Sequence, residues 1–308
     1  MRVIITGGTG LIGRALAESL AADGHEVISL SRSPEKHRSS TPPGVELVKY
    51  DAKTAAGWGH LADGADAIVN LAAESIGGES FPPPRWTKAR KQRIRQSRSD
   101  SGNAVVEAVE QAAVKPRVVI QPSGTDYYGW TGDQVVTEDS PPGDTFLASV
   151  SRDWEASTTA VEAMGVRRCV MRSGIVLSEK GGVLKHFVFP FRFFVGGPLG
   201  SGRQYYSWVH LDDEVRAIRF LIENESTSGV YNVAAPKSVR QRDLARMIGR
   251  VMKRPSFFPA PAPLLRLMLG EQAGLVLKGQ RAIPKRLTKA GFTFKYPEPE
   301  QAIQALLG

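Results

Sequence analysis

Cysteine is almost missing from this chain of 308 residues. Cys169 is the only one, which excludes an intramolecular disulfide framework and a cysteine-rich zinc site. Histidine is scarce too: His25, His37, His60, His186 and His210 are scattered without metal-ligand spacing, so no metal is expected. No apolar run reaches the length of a membrane span, and the strand-like start, Met1 to Thr6, lacks the pattern of a secretory signal. Internal repeats and low-complexity tracts are absent. No G-x-S-x-G occurs, which removes the elbow of a serine hydrolase. What remains is an ordinary globular composition, 42% apolar and 23% charged, expected to give a cytoplasmic α/β protein with a sizeable core.

Charge is present in excess of one sign. Lys and Arg number 40 against 31 Asp and Glu, a net of +9. Residues 236–308 hold 14 cations and 4 acids, so the first 235 residues hold 26 and 27. Within that first part, residues 85–98 carry seven cations and no acid. Such asymmetry suits a nucleic-acid binder, an enzyme with a polyanionic cofactor and an anionic substrate, or simply a solvated face. No nucleic-acid motif accompanies it, nor the interleaved aromatic platforms of a single-strand binder, so nucleic acid is not an expected partner. A membrane is not one either.

Strand and helix patterns alternate. Strands are expected at Arg2–Thr6, 26–30, 45–50, 66–71, 117–121 and Arg167–Ser173, with helices at Leu11–Ala22, 86–113 and 146–163 between them. Residues 81–84 read as a stiff linker and 129–145 as a long polar loop of the kind that serves function. Further on come an amphipathic helix at 181–194, a strand at 205–211, a helix at 212–224, a strand at 230–234, and a helix at 239–252 with Ser238 as N-cap. The alternation predicts a Rossmann-type, doubly wound parallel α/β sheet.

Between the first strand and first helix runs Thr6-Gly7-Gly8-Thr9-Gly10-Leu11-Ile12-Gly13. Its first glycines allow a tight turn, Gly10 lets the backbone approach a pyrophosphate, and Gly13 lets the helix pack closely on the strand. The helix start then offers free N–H groups and the positive end of its dipole. In this strand–turn–helix setting the motif predicts dinucleotide binding. An NAD site wants an acid at the end of the second strand; here stand Ser31 and Arg32, and an arginine suits the 2′-phosphate of NADP(H). Asp51, after the third strand, is placed to meet the adenine amino group, and Asn70-Leu71-Ala72-Ala73 to run beneath the cofactor ribose.

The combination of TGGTGLIG, Ser31-Arg32, NLAAE and SGTDYYG resembles the extended short-chain dehydrogenase/reductase family. More narrowly it resembles the epimerase-like branch related to nucleotide-sugar epimerases. Further markers are Arg85, Trp86, Lys91, Ile94, Ser97 and Arg98, SPPGD at 140–144, DWE at 153–155, RSGIVL at 172–177, and the stretches 196–213 and 279–297. The resemblance implies an NADP-binding fold with a smaller, interleaved C-terminal substrate domain. The first would comprise residues 1–172 and 209–235, the second 173–208 and 236–308. It also implies that Arg98 reaches the cofactor, that Leu71 and Ala72 line it, and that Val176 lies near the nicotinamide end.

Enzymes of that family pair a Ser or Thr with Tyr-x-x-x-Lys, the tyrosine moving a proton as hydride moves. Ser123 matches the serine. No Tyr-x-x-x-Lys exists in this chain; Leu147 and Ser151 occupy the two positions. Tyr127, Tyr128 and Asp126 are the replacement candidates, although an aromatic pair there also suits packing under the loop. Arg203 is a candidate anion contact and Tyr205, with Tyr206 and Trp208, a candidate pocket wall, while His210 reads as a buried, satisfied histidine. The expected function is an NADP(H)-dependent oxidoreductase or epimerase acting on a small, anionic, nucleotide-sugar-like substrate. The alternative is a non-catalytic NADP(H)-binding redox sensor.

Overall fold

Seven strands form one parallel sheet: β1 (Arg2–Thr6), β2 (Glu26–Ser31), β3 (Val45–Lys49), β4 (Ala67–Asn70), β5 (Val118–Gly124), β6 (Arg167–Ser173) and β7 (Gly229–Val233). Their order is β7-β6-β5-β4-β1-β2-β3. The computed structural model describes residues 1–78 and 83–308, so residues 81 and 82 of the expected linker lie outside the described residues. The helices that matter for the site are α1 (Leu11–Ala22), α2 (Lys88–Gln111), α3 (Phe146–Ala156), α4 (Leu184–Arg192), α5 (Leu211–Glu223), α6 (Gln241–Val251), α7 (Ala262–Leu269) and α8 (Pro299–Leu307).

A parallel sheet is covered on both faces, which is why its central strands β1 and β4 are buried nearly throughout, while the edge strand β3, VELVK, is not. Alternate residues of β1 serve opposite layers. Val3 and Ile5 pack with Leu16 and Leu20 of α1 and Val215 and Ile218 of α5. Ile4 packs with Ile28, Ile68 and Val119, under Val105 and Val109 of α2. A separate apolar cluster joins Leu184 and Phe191 of α4, Trp208, Leu244 and Ile248 of α6, and Ile303 of α8. Leu287, Phe292 and Phe294 belong instead to the core beneath the sheet.

Local chemistry shifts three expected boundaries. The helix expected at 146–163 divides after Ala156, where the Ser157 hydroxyl donates to the Trp154 carbonyl at 2.7 Å and competes with the backbone ladder. The strand expected at 205–211 divides at Ser207, whose hydroxyl donates to Gln280 O at 2.9 Å and accepts from Ala282 N at 2.8 Å. Ser238 does not cap the helix after it. Residues 239 and 240 pair antiparallel with Tyr206 and Tyr205, α6 starts at Gln241, and the Ser238 hydroxyl turns to Ala282 O. The long loop 129–145 carries a short strand, Val135–Val136, paired with Arg281–Ala282, which ties it to the C-terminal segment.

Candidate active site

The glycine loop is built for close approach. Gly7 has φ +65°, and a Cβ there would lie 2.9 Å from the backbone of Leu71 and Ala72. At Gly13 a Cβ would lie 2.5 Å from Gly7 O and 2.7 Å from Gly8 Cα, so only glycine lets α1 back onto the loop. Gly10 has no such crowding within the protein, its nearest contact being Gly7 O at 3.3 Å. Leu11 and Ile12 open α1, which has neither a side-chain cap nor an acid in its first turn. The carrier strand ends are fixed by hydrogen bonds. Leu71 N and Ala72 N donate to Thr6 O and Thr6 Oγ1, both at 3.1 Å, and Thr6 Oγ1 donates to Asn70 Oδ1 at 2.9 Å. The uncapped amides at the start of α1, beside the glycine turn, fit a pyrophosphate.

Ser31 ends β2 and Arg32 follows it, the serine buried and the arginine exposed. Asp51 sits in a turn of its own making: Oδ1 accepts from Lys53 N at 2.7 Å and Thr54 N at 2.9 Å, and Oδ2 from the Thr54 hydroxyl. Burial alone would raise its pKa, but these donors hold it below the usual carboxylate range. Sequence reasoning passed over Tyr50. Its phenol is buried against the Gly7 amide, the Thr6 hydroxyl and Arg32, and burial pushes its pKa up to about 12.

Arg98 of α2 is 5% exposed. Its guanidinium donates to Ile94 O at 2.8 Å and Glu74 O at 3.2 Å and lies 4.8 Å over the Trp154 ring. It makes no ion pair with a carboxylate among the described residues. Burial pulls its pKa down to about 10 while Asp126 and Glu74 oppose, so it stays a cation at neutral pH. A buried cation with only carbonyl acceptors fits an incoming anionic or hydroxyl-rich group. Asp126, opposite, is pushed up to about 6 by burial, with Arg98 and the Gln280 amide pulling it back.

At the end of β5, Ser123 and Tyr127 meet one ion pair. Arg172 donates to both oxygens of Glu155, at 2.8 and 2.9 Å, and Ser123 Oγ donates to Glu155 Oε1 at 2.7 Å. The Arg172 guanidinium lies 3.3 Å from the Tyr127 ring centroid and also donates to the Tyr128 hydroxyl at 3.1 Å. Tyr128 donates on to Asn232 Oδ1 at 2.7 Å and is pushed up to about 12 by burial. Leu147 and Ser151, on α3, are both buried. Val176 lies just beyond β6, in a short strand paired with Trp208–His210. His210 Nδ1 accepts from Asp212 N at 3.0 Å and caps α5.

Tyr205 stands between two guanidinium groups, Arg240 at 4.3 Å and Arg281 at 5.0 Å from its ring centroid. Next to Arg281, Gln280 Nε2 donates to Thr125 Oγ1 at 2.9 Å, which connects this cluster to the turn bearing Asp126 and Tyr127. Arg203 is exposed, and its carbonyl accepts from Arg240. No His/Cys/Asp/Glu group suited to a metal occurs among the described residues, and no helix there is long and apolar enough to cross a membrane.

The NAD dependent epimerase/dehydratase family matches residues 3–234. This chain belongs to that family. A domain of unknown function, DUF1731, matches residues 260–306. The epimerase family protein SDR39U1 homolog of Arabidopsis thaliana chloroplasts is 37% identical over all of this chain and 87% of its own. The epimerase family protein YfhF of Bacillus subtilis is 36% identical, over all of this chain and 98% of its own. The crystal structure of human SDR39U1 with NADPH superposes with a TM-score of 0.88, covering 100% and 99% of the two chains at 33% identity. Family membership and fold together support a nicotinamide dinucleotide as cofactor.

Proposed function

We propose that the protein is an NADP(H)-dependent oxidoreductase or epimerase acting on a small anionic substrate of the nucleotide-sugar class. The single observation that carries the cofactor choice is Arg32: an exposed cation directly follows β2 where an NAD site wants a carboxylate. The NADPH held by the human relative supports the same choice. In this reading Gly7, Gly10, Leu11, Ile12 and Gly13 hold the pyrophosphate. Ser31, Arg32 and Asp51 take the adenosine end, and Leu71, Ala72, Arg98 and Val176 line the remainder. When bound, the cofactor supplies or accepts hydride.

The Ser123 hydroxyl already donates its hydrogen bond to Glu155, so toward substrate its oxygen is an acceptor, suited to polarising a hydroxyl. Arg172, bonded to both oxygens of Glu155, holds it oriented for that task. Tyr127 is the proton-transferring residue of this reading, in place of the missing tyrosine. Arg203 and Tyr205, beside Arg240 and Arg281, receive the anionic part of the substrate. The cofactor domain comprises residues 1–172 and 209–235, the substrate domain 173–208 and 236–308, and the protein works in the cytoplasm.

Fluorescence titration tests the cofactor choice. NADPH is expected to bind about tenfold or more tighter than NADH, and Arg32→Asp to erase the preference. Equal affinity of the unaltered protein for both refutes it. A nucleotide-sugar panel, followed both by net NADPH formation or consumption and, because epimerisation returns its hydride to the sugar, by chromatography of the sugar products, then tests the enzyme, and Ser123→Ala should lower kcat about a hundredfold. Unchanged turnover in that variant removes the serine's role. Tight NADPH binding without turnover of any panel member would favour the sensor reading.

A further inference from the structure

Two stretches of the second half contain no acid, residues 184–200 and 252–269, and the fold brings them together on one face. Phe258 N donates to Gly196 O at 3.1 Å, Ala260 N donates to Pro198 O at 2.8 Å, and Leu199 and Ala260 form a parallel bridge. The Arg254 guanidinium lies 4.1 Å over the Phe194 ring, and the Phe257 and Phe258 rings are 4.6 Å apart. Large apolar side chains stand in solvent here: Phe257 is 72% exposed, Phe193 62%, Val195 54%, Phe194 51% and Phe258 46%. The chain then continues into α7, which has no buried residue and exposes Leu267. A shallow apolar cleft lined by Phe187, Pro190, Leu199 and Leu244 adjoins this edge at Gly197.

Arg192, Lys253, Arg254 and Arg266, all exposed, lie in the same two stretches as these side chains. None of the four is paired with a carboxylate among the described residues. Other cations of the molecule's surface do find acids, as in Arg117–Asp66, Lys237–Glu298 and Arg250–Glu300. A contiguous set of solvent-exposed aromatics is rare on a soluble monomer. An acid-free charge of one sign around the rings selects for a partner that carries net negative charge. Aromatic rings ringed by cations, with no acid among them, complement a boundary that is apolar inside and anionic outside.

We propose that this face rests on an anionic lipid surface, Phe193, Phe194, Phe257 and Phe258 entering the interfacial layer and Arg192, Lys253, Arg254 and Arg266 meeting headgroup phosphates. The proposal stands apart from the catalytic reading. The missing membrane span, on which the expectation of no membrane partner rested, concerns crossing a bilayer and not lying on one.

The test is cosedimentation of the full chain with vesicles of phosphatidylcholine alone and of phosphatidylcholine mixed with phosphatidylglycerol. Binding is expected to the mixed vesicles, weakening as salt rises. The double substitution Phe257→Ser with Phe258→Ser, and separately Lys253→Glu with Arg254→Glu, should each lower partition about tenfold or more. Thermal melting of each variant, set beside its NADPH titration, checks the fold. Three results overturn the proposal: no binding to mixed vesicles at low salt, binding unchanged by both double substitutions, or a concentration-dependent dimer, lost in the phenylalanine variant, without vesicle binding. The last would assign the face to a second copy of the chain.

Discussion

Glu214, in the first turn of α5, is 2% exposed; its Oε1 accepts from the Ser173 hydroxyl at 2.6 Å and its Oε2 has no partner. Burial pushes its pKa from 4.5 up to about 7, only partly offset by Ser173. A raised carboxyl pKa penalises the ionised form in the fold. Stability from this group is therefore whole below about 4.5 and declines as pH rises through about 7. A shift of that size corresponds to roughly 3 kcal/mol. Glu214→Gln, which keeps the shape and cannot ionise, should flatten the slope. Urea unfolding at about pH 5 and about pH 8 should show the unaltered protein losing on the order of 1–3 kcal/mol more than the variant across that interval. Asp126, also raised by burial, contributes a slope of the same sign to both proteins, so the difference isolates Glu214. Equal slopes would mean that Glu214 ionises freely in the folded state.

At the scale of elements, the glycine loop separates two roles that one motif combines. A methyl at Gly13 meets Gly7 O and Gly8 Cα and must push α1 off the loop, whereas a methyl at Gly10 meets little protein, and its cost would fall on the proposed pyrophosphate contact. Gly13→Ala should therefore lower both stability, by about 1–3 kcal/mol, and NADPH affinity. Gly10→Ala should weaken NADPH about tenfold or more with a melting temperature close to that of the parent. Parallel losses in the two variants would remove that division of labour. This loop was legible because its constraint is local: the glycines, β1 and α1 lie within the first 22 residues. The seven strands were legible for the same reason, each being a β-branched run between turn residues. What stayed hidden depends on contacts distant in sequence. Tyr50 reads as the end of a strand until β3 is placed beside the loop. Ser207 reads as a strand residue until Gln280 and Ala282 arrive to bond it. Glu155 and Arg172 stood out in the sequence, yet only the pairing of β5 with β6 sets their ion pair on the Ser123 hydroxyl.

For the molecule as a whole, the C-terminal segment is structural as well as basic. Leu287 is fully buried with Phe292 and Phe294 in the core that also contains Val3, Ile5 and Leu20. Asn232 Nδ2 donates to Ile283 O at 2.9 Å, and Arg286 N donates to Glu138 Oε1 at 3.1 Å, so strand β7 and the loop before α3 are bonded to the same segment. The seam between the proposed domains therefore crosses the main core, and the substrate side should not unfold alone. Leu287→Ala is expected to cost about 2–5 kcal/mol, the range for a buried leucine that leaves a cavity. The loss should appear as one cooperative transition moved to lower temperature, with tryptophan fluorescence and bound-NADPH fluorescence changing together. NADPH at concentrations well above its Kd should shift that single transition upward in both proteins, because a ligand of the folded state stabilises everything that unfolds with its site. A melt in two steps, with NADPH protecting only the later one and Leu287→Ala lowering only the earlier, would show instead that residues 281–308 form a separable layer laid against an independently stable sheet.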